Sequence, residues 1–303
     1  MRYMILDFNN VLHMAHIPAT QKNPGPDNNM VIRNFLGMLS KYIRIHEIGS
    51  LIVCIEGVPL HRQEVMGEEY KAGRQQKTTF KWEQFKRQMR LLQSMLTKLI
   101  PCVVIRHNNL EADDSIYEAA MILGNEVEGA EDILICSSDR DLIQILQEDT
   151  KVPIRLWSPQ QKDFRECPEV AYLPMKALQG DKSDNIDGVQ GIGPKKSERI
   201  VREGIDKWLE ENPEYQELYD RNIGLMELRR WAEIPGECMV SPSLWRFSKS
   251  RFNVMMESIG IGIGNDIGWM TPSFERLRVS RAFVAAISVQ AVSGVEDKDT
   301  TDS

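Results

Sequence analysis

The residues best able to do chemistry in this chain are carboxylates that recur just past short apolar runs. "EDILICSSDRDLIQIL" (131–146) sets Asp139 and Asp141 two residues apart after the apolar run Ile133–Cys136. "YMIL" (3–6) ends at Asp7, "LIVCI" (51–55) ends at Glu56, and "CVVIR" (102–106) leads through a loop to Glu111. "LEADDSIYEAAMIL" (110–123) places Glu111, Asp113 and Asp114 within four residues. "GDKSDN" (180–185) adds Asp181 and Asp184, three apart and so on one side of a helical turn. A single carboxylate after a strand is more often an N-cap for the next helix, and acids in a first turn answer the helix dipole. Nine from five segments are more than caps require. Gathered on one rim they would repel, since a like pair at 4 Å costs ~4 kcal/mol at an effective dielectric of about 20. Cations must neutralise such a cluster. Its all-oxygen donors, with no adjacent His or Cys, suit Mg²⁺ or Mn²⁺ and not zinc, and nine candidates exceed the needs of one ion, so two or more are expected. Paired divalent ions suit in-line displacement at phosphorus, and phosphodiester hydrolysis is the inferred reaction.

The elements that must position these groups are legible in outline. Short apolar runs at 3–6, 51–55, 102–106, 133–136 and 154–157 read as strands. Helical patterns at roughly 30–46, 81–99 and 112–123 lie between them. Such alternation predicts parallel βαβ units, in which all strand C-termini face one edge and ligands bind there. From about 174 the strand signals vanish, and the sequence reads as helix, glycine-rich turn, helix. The expected division is 1–173 for an α/β catalytic domain, 174–275 for a helical DNA-binding unit, and 276–303 for a C-terminal segment. The segment's acidic end, "VEDKDTTDS", is expected to be disordered.

A chain of 303 residues holds one sizeable α/β core plus a smaller unit. Its 42% hydrophobic and 27% charged content is ordinary for a soluble protein. No apolar run approaches the ~20 residues that span a bilayer, and "MRYMILDFNN" breaks too early for a signal peptide. The five cysteines are scattered and lack any CxxC pair, which reads as reduced core residues in a cytoplasmic protein. A net charge of −7 argues against a nucleic-acid partner until its distribution is considered. Setting the nine clustered acids aside leaves 35 acids against 37 Lys and Arg. From Lys71 to Lys98 eight basic residues, Lys77 and Lys81 among them, face one acid, Glu83.

Within that strip, "EEYKAGR" (68–74) offers Tyr70, Lys71 and Arg74. Lys71 and Arg74 share a helix face that could hold a scissile phosphate, with the ring stacked on a base. A solvated cationic face is the plainer reading, and would be preferred without the carboxylates. The Leu and Met stripe of 80–99 reads as core. "GVQGIGPKKS" (188–197) is not a Walker loop, because Pro194 stands between the second glycine and Lys195 and no strand precedes it. A helix–hairpin–helix turn fits better. There Gly191 and Gly193 let backbone N–H groups approach a DNA phosphate, and Lys195 and Lys196 add charge at the next helix start.

Asp7, "EYKAGR", "LEADDSIYEAA", "SSDRDLIQI" and "GDKSDNIDGVQGIGPKK" occur in the order found in the 5′ nucleases. The chain resembles this family of flap endonuclease-like 5′→3′ exonucleases over roughly residues 1–204. Its length and "LWSPQQK" look most like the bacteriophage ribonuclease H type. The resemblance implies a PIN-like, Rossmann-like mostly parallel sheet flanked by helices, with a C-terminal helix–hairpin–helix unit and a helical arch from about 60 to 95. It implies a first metal held by Asp7, Glu56, Glu111 and Asp113, with Asp114 alongside, and a second by Asp139, Asp141, Asp181 and Asp184. The family usually has Asp where Glu56 stands. Lys71 and Arg74 would polarise the scissile phosphodiester, Tyr70 would stack on the terminal base, and the hairpin would grip duplex DNA, often with a bound K⁺. The implied activity is removal of RNA primers and 5′ flaps in replication, with DNA flaps, forks and RNA–DNA hybrids as substrates, by a monomer. A single-strand-binding protein or sliding clamp is an open further partner. The alternatives are a non-catalytic junction-binding module, which would lack carboxylates present here, a PIN-type ribonuclease, which leaves hairpin and basic strip without a role, and the detached nuclease domain of a polymerase.

Overall fold

The apolar runs become strands because both of their faces are covered. In the computed structural model, which describes residues 1–22, 29–71, 82–243, 245–262 and 267–293, β1 (Arg2–Asp7) sends Met4 and Leu6 to one side and Tyr3 and Ile5 to the other. That period-2 alternation, apolar on both faces, is what a central parallel strand requires. The chain continues through α1 (Phe8–Lys22), α2 (Met30–Ile45), β2 (Ser50–Cys54), α3 (Leu60–Met66), α4 (Trp82–Leu99), β3 (Val103–His107), α5 (Ala112–Asn125), β4 (Asp132–Cys136) and β5 (Ile154–Ser158). A two-residue β6 (Asp163–Phe164) closes one edge. The sheet order is β6-β5-β4-β1-β2-β3, parallel except for β6. Helices α1, α2 and α4 cover one face, with Phe8, Phe35, Leu39 and Leu92 in its core. Helix α5 covers the other through Ile116, Ala119 and Ile122. The expected PIN-like arrangement, a mostly parallel sheet flanked by helices, is what the chain forms.

The second half differs from the sequence expectation. A helical unit does follow: α6 (Tyr172–Gln179), a β-ribbon of β7 (Gly180–Asp181) and β8 (Ile186–Asp187), then α7 (Pro194–Glu203), α8 (Ile205–Glu211) and α9 (Gln216–Met226). After it the chain returns to the sheet. Strand β9 (Cys238–Pro242) pairs antiparallel with β3 and extends that edge. Its residues "CMVSP" carry no clean alternation, and proline is tolerated at a strand end on an edge, so a sequence reading passes over it. Helices α10 (Lys249–Ser258) and α11 (Thr271–Arg276) bury Phe252, Met256 and Phe274 in the same core as α2, and α12 (Arg281–Ser293) buries Phe283 and Ile287 against α5. The expected division at 275 is therefore corrected: the helical unit is narrower than 174–275, and residues from about 231 onward complete the α/β layers. The acidic end from 294 lies outside the described residues. Cys54, Cys102 and Cys136 are buried free thiols, Cys238 is half-buried and Cys167 exposed. Among the described residues no helix is long and apolar enough to cross a membrane.

Candidate metal centre and nucleic-acid interface

Strands β4, β1, β2 and β3 are neighbours and parallel, so the residues just past their C-termini converge. Asp7, Glu56, Glu111, Asp113, Asp139, Asp141, Asp181 and Asp184 line a single cleft of about 960 Å³. Close backbone approach brings Glu56 there. Gly57 donates to Leu110 O at 3.0 Å, and a Cβ on Gly57 would stand 2.0 Å from His107 O, so only glycine fits. The loop after β3 is thereby clamped to the loop after β2, and Glu56 faces Glu111.

Each acid is held by its own local geometry. Ser137 donates from Oγ to Asp7 Oδ2 at 2.7 Å, and Asn10 N–H donates to Asp7 Oδ1 at 3.0 Å. Asp139 Oδ1 accepts from Asp141 N–H at 2.9 Å, a local side-chain turn that aims both acids at the cleft. Glu111 is the N-cap residue of α5. Its carboxylate accepts from Arg62 at 2.7 Å, from the Tyr70 hydroxyl at 2.8 Å and from Lys71. Burial raises the Glu111 carboxyl, but Arg62 and Lys71 outweigh it and hold the group below its ordinary range.

Four other acids are less fully compensated. Burial, with Asp139 adding repulsion, pushes Asp7 up to about 6. Burial and the facing Glu111 push Glu56 up to about 7. Asp113 is raised by burial and by Asp139, Asp7 and Glu56 around it, and Asp141 is raised by burial despite Lys176. Asp141 Oδ1 is buried, with the Lys176 ammonium 2.9 Å away. Groups raised in this way are short of counter-charge. The donor set, all oxygen and under-compensated, fits hard divalent cations. Among the described residues no three of these acids close into a ready ligand shell. Instead Lys176 stands 2.5 Å from Asp181 and 2.9 Å from Asp141, and Lys71 lies between Glu111 and Asp184.

Three expected placements are corrected. Asp114 does not join the cleft: both its oxygens accept from Arg62, at 2.9 and 3.1 Å, and Oδ1 also from Arg229 N–H at 2.9 Å. One residue along a helix turns a side chain by about 100°, so Asp113 and Asp114 cannot both face the rim. Tyr70 is buried against Ile186, Leu225 and Met226 with its hydroxyl on Glu111, so in this conformation its ring is not offered to a base. Asp181 and Asp184 sit in the β7–β8 turn and not on a helical turn. Arg74, Lys77 and Lys81 lie outside the described residues. Lys71 is in the left-handed region at φ 59°, its N–H donating to Asp184 O at 3.1 Å, while Asn185 at φ 63° donates to Glu69 O at 3.2 Å. These bonds, made by residues with left-handed backbone, stitch "EYK" to "KSDN", a link that sequence separation hides.

Sequence reasoning missed Arg62, Ser137 and Lys176. Nothing marks a buried arginine in "LHRQ" or a site lysine in "LPMKAL", since both read as ordinary helix surface. A second cavity of about 530 Å³ continues the cleft past Lys176, Arg140, Arg165 and Lys182 to Pro194, the first residue of α7. In the hairpin itself Val189, Ile192, Ile200 and Leu178 form a small core, Gly191 takes φ 76°, Gly193 caps α7, and Lys195 and Lys196 are exposed on its first turn.

Residues 2–170 match the model of the 5′-3′ exonuclease family, N-terminal resolvase-like domain, and the chain belongs to that family. It is similar to DNA polymerase I of Bacillus caldotenax, 31% identical over 215 residues that make up 67% of this chain and 23% of the polymerase. It is also similar to the 5′-3′ exonuclease of Bacillus subtilis (strain 168), 36% identical over 113 residues, 33% of this chain and 36% of that protein. The match thus spans about a quarter to a third of these relatives' length. A bacteriophage T5 flap endonuclease, solved with DNA and metal ions, matches with a TM-score of 0.61 at 21% identity, covering 75% of this chain and 89% of that one. At that identity the likeness is one of fold.

Proposed function

We propose that this chain is a structure-selective, divalent-metal-dependent 5′→3′ exonuclease and flap endonuclease acting on 5′ flaps and on RNA primers paired to DNA. One observation carries the reading: eight carboxylates from five separate segments line one cleft, and several stay short of counter-charge. Asp7, Glu56, Glu111 and Asp113 would hold one Mg²⁺ or Mn²⁺, and Asp139, Asp141, Asp181 and Asp184 another. Such ions supply a water of lowered pKa and offset the charge that develops on the leaving oxygen. The chain's own groups do the rest. Lys71, at the cleft wall beside Glu111, meets a phosphate oxygen and orients the phosphodiester. Arg62 and Tyr70 fix the Glu111 carboxylate so that its position survives substrate entry. Arg140, Arg165 and Lys182 draw the nucleic-acid backbone from the cleft toward the hairpin, where Lys195 and Lys196 meet duplex phosphates. A K⁺ at the hairpin turn belongs to the same proposal. The T5 flap endonuclease held with DNA and metal ions on this fold supports the reading.

A 5′-labelled DNA flap and an RNA–DNA hybrid, incubated side by side with Mg²⁺ or with chelator, test it. Cleavage from the 5′ end of both substrates, lost in chelator, is expected. Cleavage that persists in chelator, or none of either substrate, contradicts it. Cleavage of the flap alone removes the ribonuclease H part.

A further inference from the structure

Lys176 occupies the place where a cation shared by Asp141 and Asp181 would sit. Carried on α6, its ammonium bridges a carboxylate of the turn after β4 and one of the β7–β8 ribbon. Lys176 donates a hydrogen bond to Asp181 at 2.5 Å and stands 2.9 Å from Asp141 Oδ1. Just beyond the ammonium lies the cavity lined by Arg140, Arg165 and Lys182, and the Arg165 Nε is itself buried without a hydrogen-bond partner. Three cationic side chains, Arg140, Arg165 and Lys182, line it beside Glu166 and Asp181, a positive balance that would receive a phosphate.

We infer that Lys176 is a built-in counter-cation that competes with a divalent ion for Asp141 and Asp181, and yields its place when a nucleic-acid phosphate enters the adjoining cavity. The inference rests on the reading of those two acids as metal ligands. An ion and an ammonium cannot share a gap this narrow, so uptake on this side requires Lys176 to swing away on its flexible four-carbon stem. Alone, the ammonium would leave two carboxylates for open cleft. With a phosphate in the cavity it exchanges one anionic partner for another. Metal and nucleic acid then raise each other's affinity by the same factor, as linkage demands. The protein without substrate holds an incomplete metal set, and the full charge assembles only when there is a phosphodiester to receive it.

Titration of the metal-free protein with Mn²⁺, with free ion read by electron paramagnetic resonance, tests this. It is run alone and with a phosphorothioate flap duplex that gel electrophoresis shows to be intact. In the wild type the last ion should bind weakly alone and about 10-fold more tightly with duplex, within the usual range of coupling. Lys176→Ala should bind it tightly without duplex and gain less than about twofold from duplex. Lys176→Gln removes the charge and keeps most of the stem, and circular dichroism of both variants separates a folding defect from a metal effect. Equal Mn²⁺ affinity in the wild type and both folded variants overturns the inference, provided Asp141→Asn loses an ion. If Asp141→Asn and Asp181→Asn lose none, the ligand reading itself falls, and the inference with it.

Discussion

Asp113 and Asp114 adjoin in "EADD", yet Arg62 takes both oxygens of Asp114 while Asp113 faces the cleft among Asp7, Glu56 and Asp139. Their variants should therefore behave oppositely. Asp113→Asn relieves repulsion, so the metal-free protein should unfold at a higher urea concentration while flap cleavage in Mg²⁺ falls by orders of magnitude. A lower midpoint, or cleavage near wild type, counts against the assignment. Arg62→Ala leaves Asp114 buried without its cation and Glu111 with Lys71 alone, which costs ~3–5 kcal/mol, and urea unfolding should show a loss of that size. Lys71→Ala should slow the chemical step in single-turnover cleavage, and an unchanged rate removes it from the site. Six of the eight cleft carboxylates were legible because they follow apolar runs of strand length, and Asp181 and Asp184 because they recur in one short polar segment. Arg62 and Lys176 were not, since a basic residue on a short helix looks the same whether water or a carboxylate receives it.

Among elements, the strand ends and the hairpin position the chemistry. The β2 loop reaches Glu111 only because Gly57 lets two backbones touch. Gly57→Ala should shift Glu56, lower turnover and cost stability. A wild-type pH–rate profile with unchanged unfolding would show that the loop has room. At the hairpin, Lys195→Ala with Lys196→Ala should weaken duplex binding and reduce the slope of log K against log salt by about 1 to 2, as expected for two lost phosphate contacts. An unchanged slope rejects the phosphate grip. The five strands and the main helices were readable from period and length. Strand β9 was not, because its pairing partner β3 lies more than a hundred residues earlier and its own pattern is that of a loop. The β7–β8 turn was mistaken for helix since Asp181 and Asp184 have helical spacing but close a ribbon.

For the molecule as a whole, folding gathers negative charge at one place. The folded Asp7 and Glu56 carboxyls, near 6 and 7, hold protons that the unfolded chain, with ordinary values near 4, has already released. Between about pH 4.5 and 7 these two groups bind more protons in the native state, so their contribution to stability without metal falls as pH rises. His16, His46, His61 and His107, whose imidazoles burial lowers, contribute in the opposite sense. Going from pH 5.5 to pH 8, the urea midpoint of chelated wild type should fall relative to that of Asp7→Asn with Glu56→Gln, in which the contribution of these two carboxyls is absent, and Mg²⁺ should raise the wild-type midpoint at pH 8. The same charge makes the decisive measurement simple. Calorimetric titration of metal-free protein with Mn²⁺ at pH 6.5, in two buffers of different ionisation heat, should show uptake of at least one ion without nucleic acid. Proton release should accompany it as Asp7 and Glu56 ionise. No uptake, or uptake with no proton released, would contradict the convergence of these acids into a cation-dependent centre.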